Sequence, residues 1–269
     1  MSWQRYLDYT WASPCDPPKA WTGSITSYVP QSPSEPKLLS GPDKPDTSSL
    51  FSTVFMVDPD CWGFDQQIAK HKRIVGSALE LYNTGHEVLM LMGGEDLHPS
   101  FYGESAHSFN NNKDSVASRE QQWEFNILLR AIELKIPVIG ICRGAQMIAV
   151  SQGCKLIQHL EGHTNTNHII QTIYPSWRKE ITINSDHHQS IYAPSLPPDA
   201  VVLSSLYYTQ GSHKYHLSPT KTIEGNGVRE VEIVRFPSIK AICFQGHPEW
   251  EDDDADFRQY AIRLIQHYL

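Results

Sequence analysis

The stretch Pro137-Val138-Ile139-Gly140-Ile141-Cys142-Arg143-Gly144-Ala145-Gln146 decides the fold of this 269-residue chain. A short apolar, β-branched run enters a Gly-x-Cys-x-Gly turn, and a helical pattern begins directly after it. Small residues around a cysteine permit a strained strand-to-helix corner that exposes the side chain, which is the geometry of a nucleophile elbow. The sulfur would also lie at a helix N-terminus, where the peptide dipoles favour the thiolate. Cys142 is therefore the candidate nucleophile.

Alternating strand and helix patterns on both sides of this stretch predict an α/β fold. Apolar runs predict strands at residues 53–57, 88–92, 137–141 and 181–183. Helical spacing of apolar residues predicts helices over residues 64–82, 123–134, 145–149 and 257–268. Residues 227–234 and 239–244 alternate like strands on either side of Phe236-Pro237-Ser238, which predicts a hairpin.

The first 50 residues differ from the rest of the chain, since they are rich in Pro, Ser and Trp and lack sustained periodicity. We expect an N-terminal extension or arm over residues 1–50 and a single domain over residues 51–269. Three interpretations of the arm stay open: a loosely packed extension, a lid or partner contact, and a divergent strand.

Composition excludes several classes of function. A net charge of −8 without a dense Lys/Arg tract argues against nucleic acid as a partner. No apolar run approaches the roughly 18 residues of a membrane span. The five cysteines are widely spaced and form no Cys-x-x-Cys pair, which suits a reducing compartment. We therefore expect a cytoplasmic protein that binds neither membrane nor nucleic acid.

A candidate base lies about 105 residues after the cysteine, in Phe244-Gln245-Gly246-His247-Pro248-Glu249-Trp250. His247 and Glu249 are two positions apart, a spacing that puts both side chains on one face of an extended segment. The carboxylate can then orient the imidazole while the imidazole contacts the sulfur. A Cys, His, Glu triad follows from this arrangement.

Several motifs together resemble those of the class I glutamine amidotransferase superfamily, and more narrowly its gamma-glutamyl hydrolase branch of peptidase C26 type, which includes gamma-glutamyl-gamma-aminobutyrate hydrolases. The elbow and the Gly-His-Pro-Glu segment carry the wider resemblance. The narrower one comes from Met92-Gly93-Gly94-Glu95-Asp96-Leu97-His98-Pro99-Ser100-Phe101-Tyr102-Gly103-Glu104, Glu161-Gly162-His163 and Asn184-Ser185-Asp186-His187-His188-Gln189. The resemblance covers about residues 85 to 250.

This resemblance implies a flavodoxin-like, three-layer fold with a mostly parallel central sheet. It also implies a catalytic triad of Cys142, His247 and Glu249, with backbone N–H groups of Gly94 and Arg143 forming the oxyanion hole. Such donors stabilise the charge that develops when a thiolate attacks an amide, by about 3 kcal/mol per donor.

By the same resemblance, the substrate-binding residues are Gly93, Gln146, Asp186, His187, His188 and Gln189. The chain departs from the family at two of its motifs. Asp186 stands where an aromatic residue is usual, and Gly246 where Trp is frequent. We therefore expect an altered pocket wall. The chain also lacks one strand-helix unit of the usual arrangement before the Gly-Gly loop.

The thirteen histidines raise the question of a metal site, since several lie within one stretch: His159, His163, His168, His187 and His188. Their spacing fits no familiar zinc pattern, and no cysteine pair accompanies them. We therefore expect no metal and no cofactor. The acidic run over residues 251–254 is interpreted as a solvated helix start.

The sequence leaves three functions open. The first is a hydrolase that cleaves the γ-glutamyl amide of glutamine or of a γ-glutamyl amine through a glutamyl thioester. The alternative is a glutaminase subunit that supplies ammonia to a separate synthetase or ligase. The third is a non-catalytic binding protein on the same fold, which the intact triad argues against. The expected partners are a small γ-glutamyl substrate, a synthetase subunit in the second case, and a second copy of the chain in a homodimer.

Overall fold

The computed structural model of the protein describes residues 50–59, 61–112, 116–172, 180–207, 214–224 and 228–269. All of these residues belong to one compact unit. The predicted extension over residues 1–50 lies outside the described residues except for Leu50. Its three interpretations, and the domain boundary at residue 50, therefore stay predictions.

Strands and helices alternate along the described part of the chain. The helices are α1 Phe64–Ile68, α2 Arg119–Glu133, α3 Arg143–Ser151 and α4 Asp256–Tyr268. The strands are β1 Phe51–Met56, β2 Ala69–Ile74, β3 Glu87–Leu91, β4 Val138–Ile141, β5 Leu156–Ile157, β6 Thr166–Thr172, β7 Glu180–Ser185, β8 Ser190–Ile191, β9 Val201–Tyr207, β10 Lys214–Ser218, β11 Lys221–Glu224, β12 Arg229–Phe236 and β13 Ala241–Phe244. None of the helices in the described ranges is long and apolar enough to cross a membrane.

A nine-stranded sheet in the order β2-β1-β3-β4-β13-β12-β9-β6-β7 forms the centre of the fold. Its first five strands pair in parallel, and the remaining pairs are antiparallel. Within this sheet β12 and β6 run against the other strands, so the predicted mostly parallel sheet is confirmed. The predicted hairpin is also confirmed, as β12 and β13.

Helices cover both faces of the sheet, because its central strands are apolar on both sides. On one face Met90 of β3 packs in a core that includes Phe64 of α1 and Tyr260 of α4. On the other face Leu89 packs in a core that includes Ile127 of α2 and further residues of α3. These three layers confirm the predicted α/β class.

The predicted helix over residues 64–82 is wrong. Helix α1 ends at Ile68, and the next six residues form β2, which pairs in parallel with β1 at the edge of the sheet. Residues 70–74 are exposed, and four of the five are Lys, His or Arg, which protect an edge strand from pairing with another chain. Val75, just after β2, is buried in the core that contains Leu89 and not on a helical face, and its N–H donates to the Met56 carbonyl at 2.9 Å.

Candidate active site

Three residues predicted for the site follow three neighbouring strands of the sheet. Gly93 lies just beyond the end of β3, Cys142 directly follows β4, and His247 follows β13. These strands are adjacent and parallel, so their carboxyl ends meet at one edge. In open α/β sheets this edge is where ligands bind.

The backbone of Cys142 is strained, with φ at 50° and ψ at −110°, at the start of α3. Its N–H donates to the Phe244 carbonyl at 2.8 Å, which fixes the corner to β13. The glycines on either side are sterically required. A Cβ on Gly144 would lie 2.2 Å from the Leu91 carbonyl oxygen, and one on Gly140 would lie 2.8 Å from the backbone of α3. The Gly-x-Cys-x-Gly sequence therefore matches the close packing of the turn.

The His247 imidazole lies between a thiol and a carboxylate. Its Nδ1 is 2.7 Å from Oε1 of Glu249, and the Cys142 side chain lies beside it. Burial disfavours a charged imidazole, but the interactions with Cys142 and Glu249 outweigh it and raise the pKa of His247 to about 10. The Trp250 ring stacks on the imidazole with centroids 3.7 Å apart and planes 7° apart. The sequence motif contains Trp250, but its spacing does not predict this stack.

Asn184 fixes the backbone of His247. Its Oδ1 accepts from the His247 N–H and its Nδ2 donates to the His247 carbonyl, both at 2.7 Å. Nδ2 also donates to Glu251 at 2.7 Å. A Cβ on Gly246 would lie 2.6 Å from the Asn184 carbonyl oxygen, so this close approach requires glycine and leaves no space for Trp. The sequence motif contained Asn184, but no role was predicted for it.

The Gly-Gly loop packs directly against these side chains. A Cβ on Gly93 would lie 2.9 Å from Cε1 of His247 and 3.5 Å from Cβ of Cys142. A Cβ on Gly94 would lie 2.6 Å from Nε of Arg143. The two glycines thus let the loop backbone pack closely against His247, Cys142 and Arg143, and the oxyanion hole of Gly94 and Arg143 stays a prediction.

The Arg143 side chain is held by Glu124 of α2, a contact that the sequence did not indicate. Nη2 of Arg143 donates to Oε1 of Glu124 at 2.9 Å, and Nη1 donates to Oε2. Both side chains are largely buried. Burial raises the pKa of Glu124, although the guanidinium opposes this shift. The pairing ties α2 to the start of α3, next to the thiol.

A cavity of about 300 Å³ opens beside Cys142. Its lining residues are Gly94, Glu95, Asp96, Asn111, Cys142, Arg143, Gln146, Asp186, His187, His188 and Gln189. The cavity therefore brings together both predicted oxyanion residues and five of the six predicted substrate-binding residues. The sixth, Gly93, packs against the imidazole and is not part of the lining.

Two of the lining residues are engaged in internal hydrogen bonds. Gln146 donates from Nε2 to the Gln189 carbonyl at 3.0 Å and to Gln245 at 3.2 Å. Oε1 of Gln189 accepts from the Leu97 N–H at 3.0 Å. These contacts hold the wall of the cavity against α3 and the loop after β3.

Three further polar lining residues differ in their exposure and partners. His188 contacts Asp96 at 3.0 Å, and this carboxylate raises the pKa of His188 against the effect of burial. The Asp186 side chain is exposed and accepts from the Asn165 N–H at 3.0 Å. His187 is buried, and its Nδ1 is 2.9 Å from the Gln189 carbonyl oxygen.

The chain is similar in sequence to several known proteins. The family model described as Peptidase C26 matches residues 76–205. A glutamine amidotransferase-like protein of Lactococcus lactis subsp. lactis is 28% identical over 187 residues, which cover 67% of this chain and 74% of that protein. These matches support the class I glutamine amidotransferase-like superfamily as the family of this chain.

Two further members of this superfamily show how far the similarity extends. A candidate glutamine amidotransferase of Mycobacterium tuberculosis is 40% identical over 72 residues, which span 27% of this chain and 22% of that protein. The carbamoyl phosphate synthase small chain of Wigglesworthia glossinidia brevipalpis is 26% identical over 141 residues, 51% of this chain and 32% of that one. In these two cases the chain thus matches a third or less of the relative's length.

Among solved structures, a candidate GMP synthase component of Thermoplasma acidophilum superposes with a TM-score of 0.50 at 17% identity. The superposition covers 81% of this chain and 94% of that protein. This likeness supports the fold.

Proposed function

We propose that the protein is a cysteine-dependent hydrolase that cleaves a γ-glutamyl amide bond through a glutamyl thioester. One observation carries the proposal: a cysteine on a strained elbow contacts an imidazole oriented by a carboxylate, and the same cysteine faces a cavity of about 300 Å³. Cys142, His247 and Glu249 act as nucleophile, acid-base and orienting group.

The reaction follows from the chemistry of these groups. The Cys142 thiolate attacks the γ-carbonyl carbon, and the carbonyl oxygen takes the negative charge beside the backbone N–H groups of Gly94 and Arg143. His247 then gives its proton to the amine as the C–N bond breaks, which leaves a glutamyl thioester. Water, deprotonated by His247, attacks the carbonyl carbon of this thioester, and the C–S bond breaks. Glutamate leaves, and the Cys142 thiolate and protonated His247 are restored.

The charges at the cavity suit a free α-amino group on the substrate. Glu95, Asp96 and Asp186 all line the cavity, and the Arg143 guanidinium is already paired with Glu124. A carboxylate near the mouth can therefore bind the α-ammonium of the glutamyl moiety.

A second candidate, a glutaminase subunit that passes ammonia to a separate synthetase, is favoured by the similarity to a carbamoyl phosphate synthase small chain. It uses the same thioester chemistry. In this case turnover of glutamine depends on a partner protein.

Glutamate release separates the two functions. The purified full-length chain is incubated with glutamine and with a panel of γ-glutamyl amines, and glutamate is quantified for the wild type and for Cys142→Ala. Turnover of γ-glutamyl amines by the chain alone supports the hydrolase, whereas glutaminase activity that requires a second protein supports the subunit.

Cys154→Ala is the matched control, because Cys154 is also buried but lies outside the cavity lining. This variant keeps wild-type turnover in either case. If no substrate is turned over with or without candidate synthetases, or if Cys142→Ala is as active as the wild type, both functions are wrong and a non-catalytic binding protein remains.

A further inference from the structure

Behind the cavity wall lies a buried cluster of histidines and glutamates that the proposed reaction does not use. One ligand atom each from His163, His187 and Glu232 lies within 4.8 Å of the others, and all three side chains are at least nine-tenths buried. The three come from separate parts of the fold: the loop before β6, the loop after β7, and β12.

Two polar atoms of this cluster have no hydrogen-bond partner among the described residues. Nδ1 of His187 faces the Gln189 carbonyl, which can only accept, so Nδ1 carries the hydrogen and Nε2 carries a lone pair. Nε2 of His187 is buried without a partner within the described ranges, as is Oε2 of Glu232. Burying such groups unpaired is costly, so a missing ligand would account for both.

The surroundings of His163 match those of a metal-binding histidine. Nε2 of His163 is 2.9 Å from a Glu230 carboxylate oxygen, and the other oxygen of Glu230 accepts from the Tyr215 hydroxyl at 2.8 Å. Histidines that bind metals commonly donate their second ring N–H to a carboxylate in this way. When Nε2 donates to Glu230, Nδ1 of His163 holds the lone pair that a cation needs.

A fourth candidate ligand, His168 on β6, completes the cluster. Its Nε2 is 3.3 Å from Oε1 of Glu232, and no hydrogen bond to Nε2 is formed within the described residues. The His168 ring lies 5.0 Å from the His163 ring, centroid to centroid. His168 is thus a neighbour of Glu232 and His163, but it is not among the three side chains whose ligand atoms all lie within 4.8 Å of one another, so its imidazole would have to turn toward them to bind the same ion.

We propose that His163, His168, His187 and Glu232 bind one zinc ion in a closed, structural site. Neutral imidazoles and a carboxylate are ligands that suit Zn²⁺, and structural sites are four-coordinate. With bonds of about 2.0–2.2 Å, tetrahedral ligand atoms lie roughly 3.3 Å apart, so the three atoms now within 4.8 Å move by about 1.5 Å at most. Rotation of the side chains can supply this movement.

Such an ion would attach the cavity wall to the sheet. His187 lines the cavity beside Cys142, whereas His168 and Glu232 belong to strands of the central sheet. The sequence expectation of no metal rested on linear spacing, which does not reveal groups that strand pairing brings together.

The alternative is a network without metal, in which His163 pairs with Glu230 and His168 with Glu232. Metal analysis distinguishes the two. The full chain is treated with EDTA, dialysed, and titrated with ZnCl₂, and zinc content is measured by inductively coupled plasma mass spectrometry. We expect one zinc per chain and, at about 100 times the dissociation constant, a Tm rise of at least about 5 °C.

Two variants locate the ion. Glu232→Gln loses the bound zinc and the Tm rise. The control His159→Ala keeps both, because His159 belongs to a separate, more exposed group with His188, Phe109 and His216. X-ray absorption on the wild type should show an N/O shell near 2.0–2.1 Å with imidazole scattering, which decides the question even if Glu232→Gln does not fold. The proposal is overturned if the wild type binds no zinc, or if His159→Ala rather than Glu232→Gln abolishes binding.

Discussion

Replacing Gly93 with Ala tests whether the Gly-Gly loop positions the imidazole. The added Cβ would lie 2.9 Å from Cε1 of His247, where ordinary contacts begin at 3.4 Å, so one of the two groups must move by about 0.5 Å. The imidazole cannot move without cost, because Glu249 binds its Nδ1, Trp250 stacks on its face and Asn184 fixes the backbone of His247. A misplacement of about 1 Å can reduce catalysis about 100-fold. We therefore expect the turnover of Gly93→Ala and the alkylation rate of its Cys142 to fall by about 10- to 100-fold.

The assay measures the rate at which iodoacetamide alkylates Cys142 at pH 7, a readout that needs no assumption about the substrate. Turnover and Tm are measured alongside it. Gly76→Ala is the control, since its Cβ would meet a flexible Glu80 carboxylate oxygen at 3.4 Å. An alkylation rate for Gly93→Ala within two-fold of the wild type, at unchanged Tm, would refute the proposed packing.

Three further substitutions test the groups around the elbow. Glu249→Gln removes a hydrogen bond that raises the pKa of His247, so this pKa falls by at least about one unit from about 10 in an NMR titration. Because a raised pKa stabilises the fold most below about pH 6.5 and ceases to do so as the pH rises through about 10, Glu249→Gln destabilises more at pH 6 than at pH 10.5. Asn184→Ala removes two hydrogen bonds to the His247 backbone and lowers the free energy of unfolding by about 2 kcal/mol in urea titrations. Glu124→Gln leaves the buried Arg143 without its carboxylate and costs about 3 kcal/mol by the same measurement.

Each of these three predictions has an outcome that would contradict it. The triad geometry is wrong if His247 titrates in Glu249→Gln as it does in the wild type. If Asn184→Ala is as stable as the wild type, the hydrogen bonds from Asn184 to the His247 backbone contribute nothing to the free energy of unfolding. For Glu124 the control is Glu120→Gln, an exposed position on the same helix, and equal unfolding free energies for the two variants would argue against a buried ion pair.

Local chemistry made the elbow predictable from the sequence. A nucleophile between glycines, after an apolar run, specifies a strand-to-helix corner, and the structure has this corner at Cys142 with a positive φ. Spacing also paired His247 with Glu249, but for another reason than the one expected: Pro248–Trp250 form a 3-10 turn and not an extended segment, and this turn brings the carboxylate to the imidazole.

Features that depend on tertiary packing could not be predicted in this way. Strand β2 lies between Ile68 and Val75, whose spacing is that of a helix, and pairing with β1 overrides this local signal. The contact between Glu124 and Arg143 joins two helices with no sequence signal. His163 and Glu232 meet only because antiparallel pairing of β12, β9, β6 and β7 folds distant segments together.

The central claim is that Cys142 forms a glutamyl thioester. The most direct test is mass spectrometry of acid-quenched protein, after mixing with glutamine or with the γ-glutamyl amine that the panel identifies. We predict a glutamyl mass increase on the peptide that contains Cys142, and its loss in Cys142→Ala but not in Cys154→Ala. A turning-over enzyme whose Cys142 peptide stays unmodified under rapid quench, or whose adduct lies on another residue, would contradict the account.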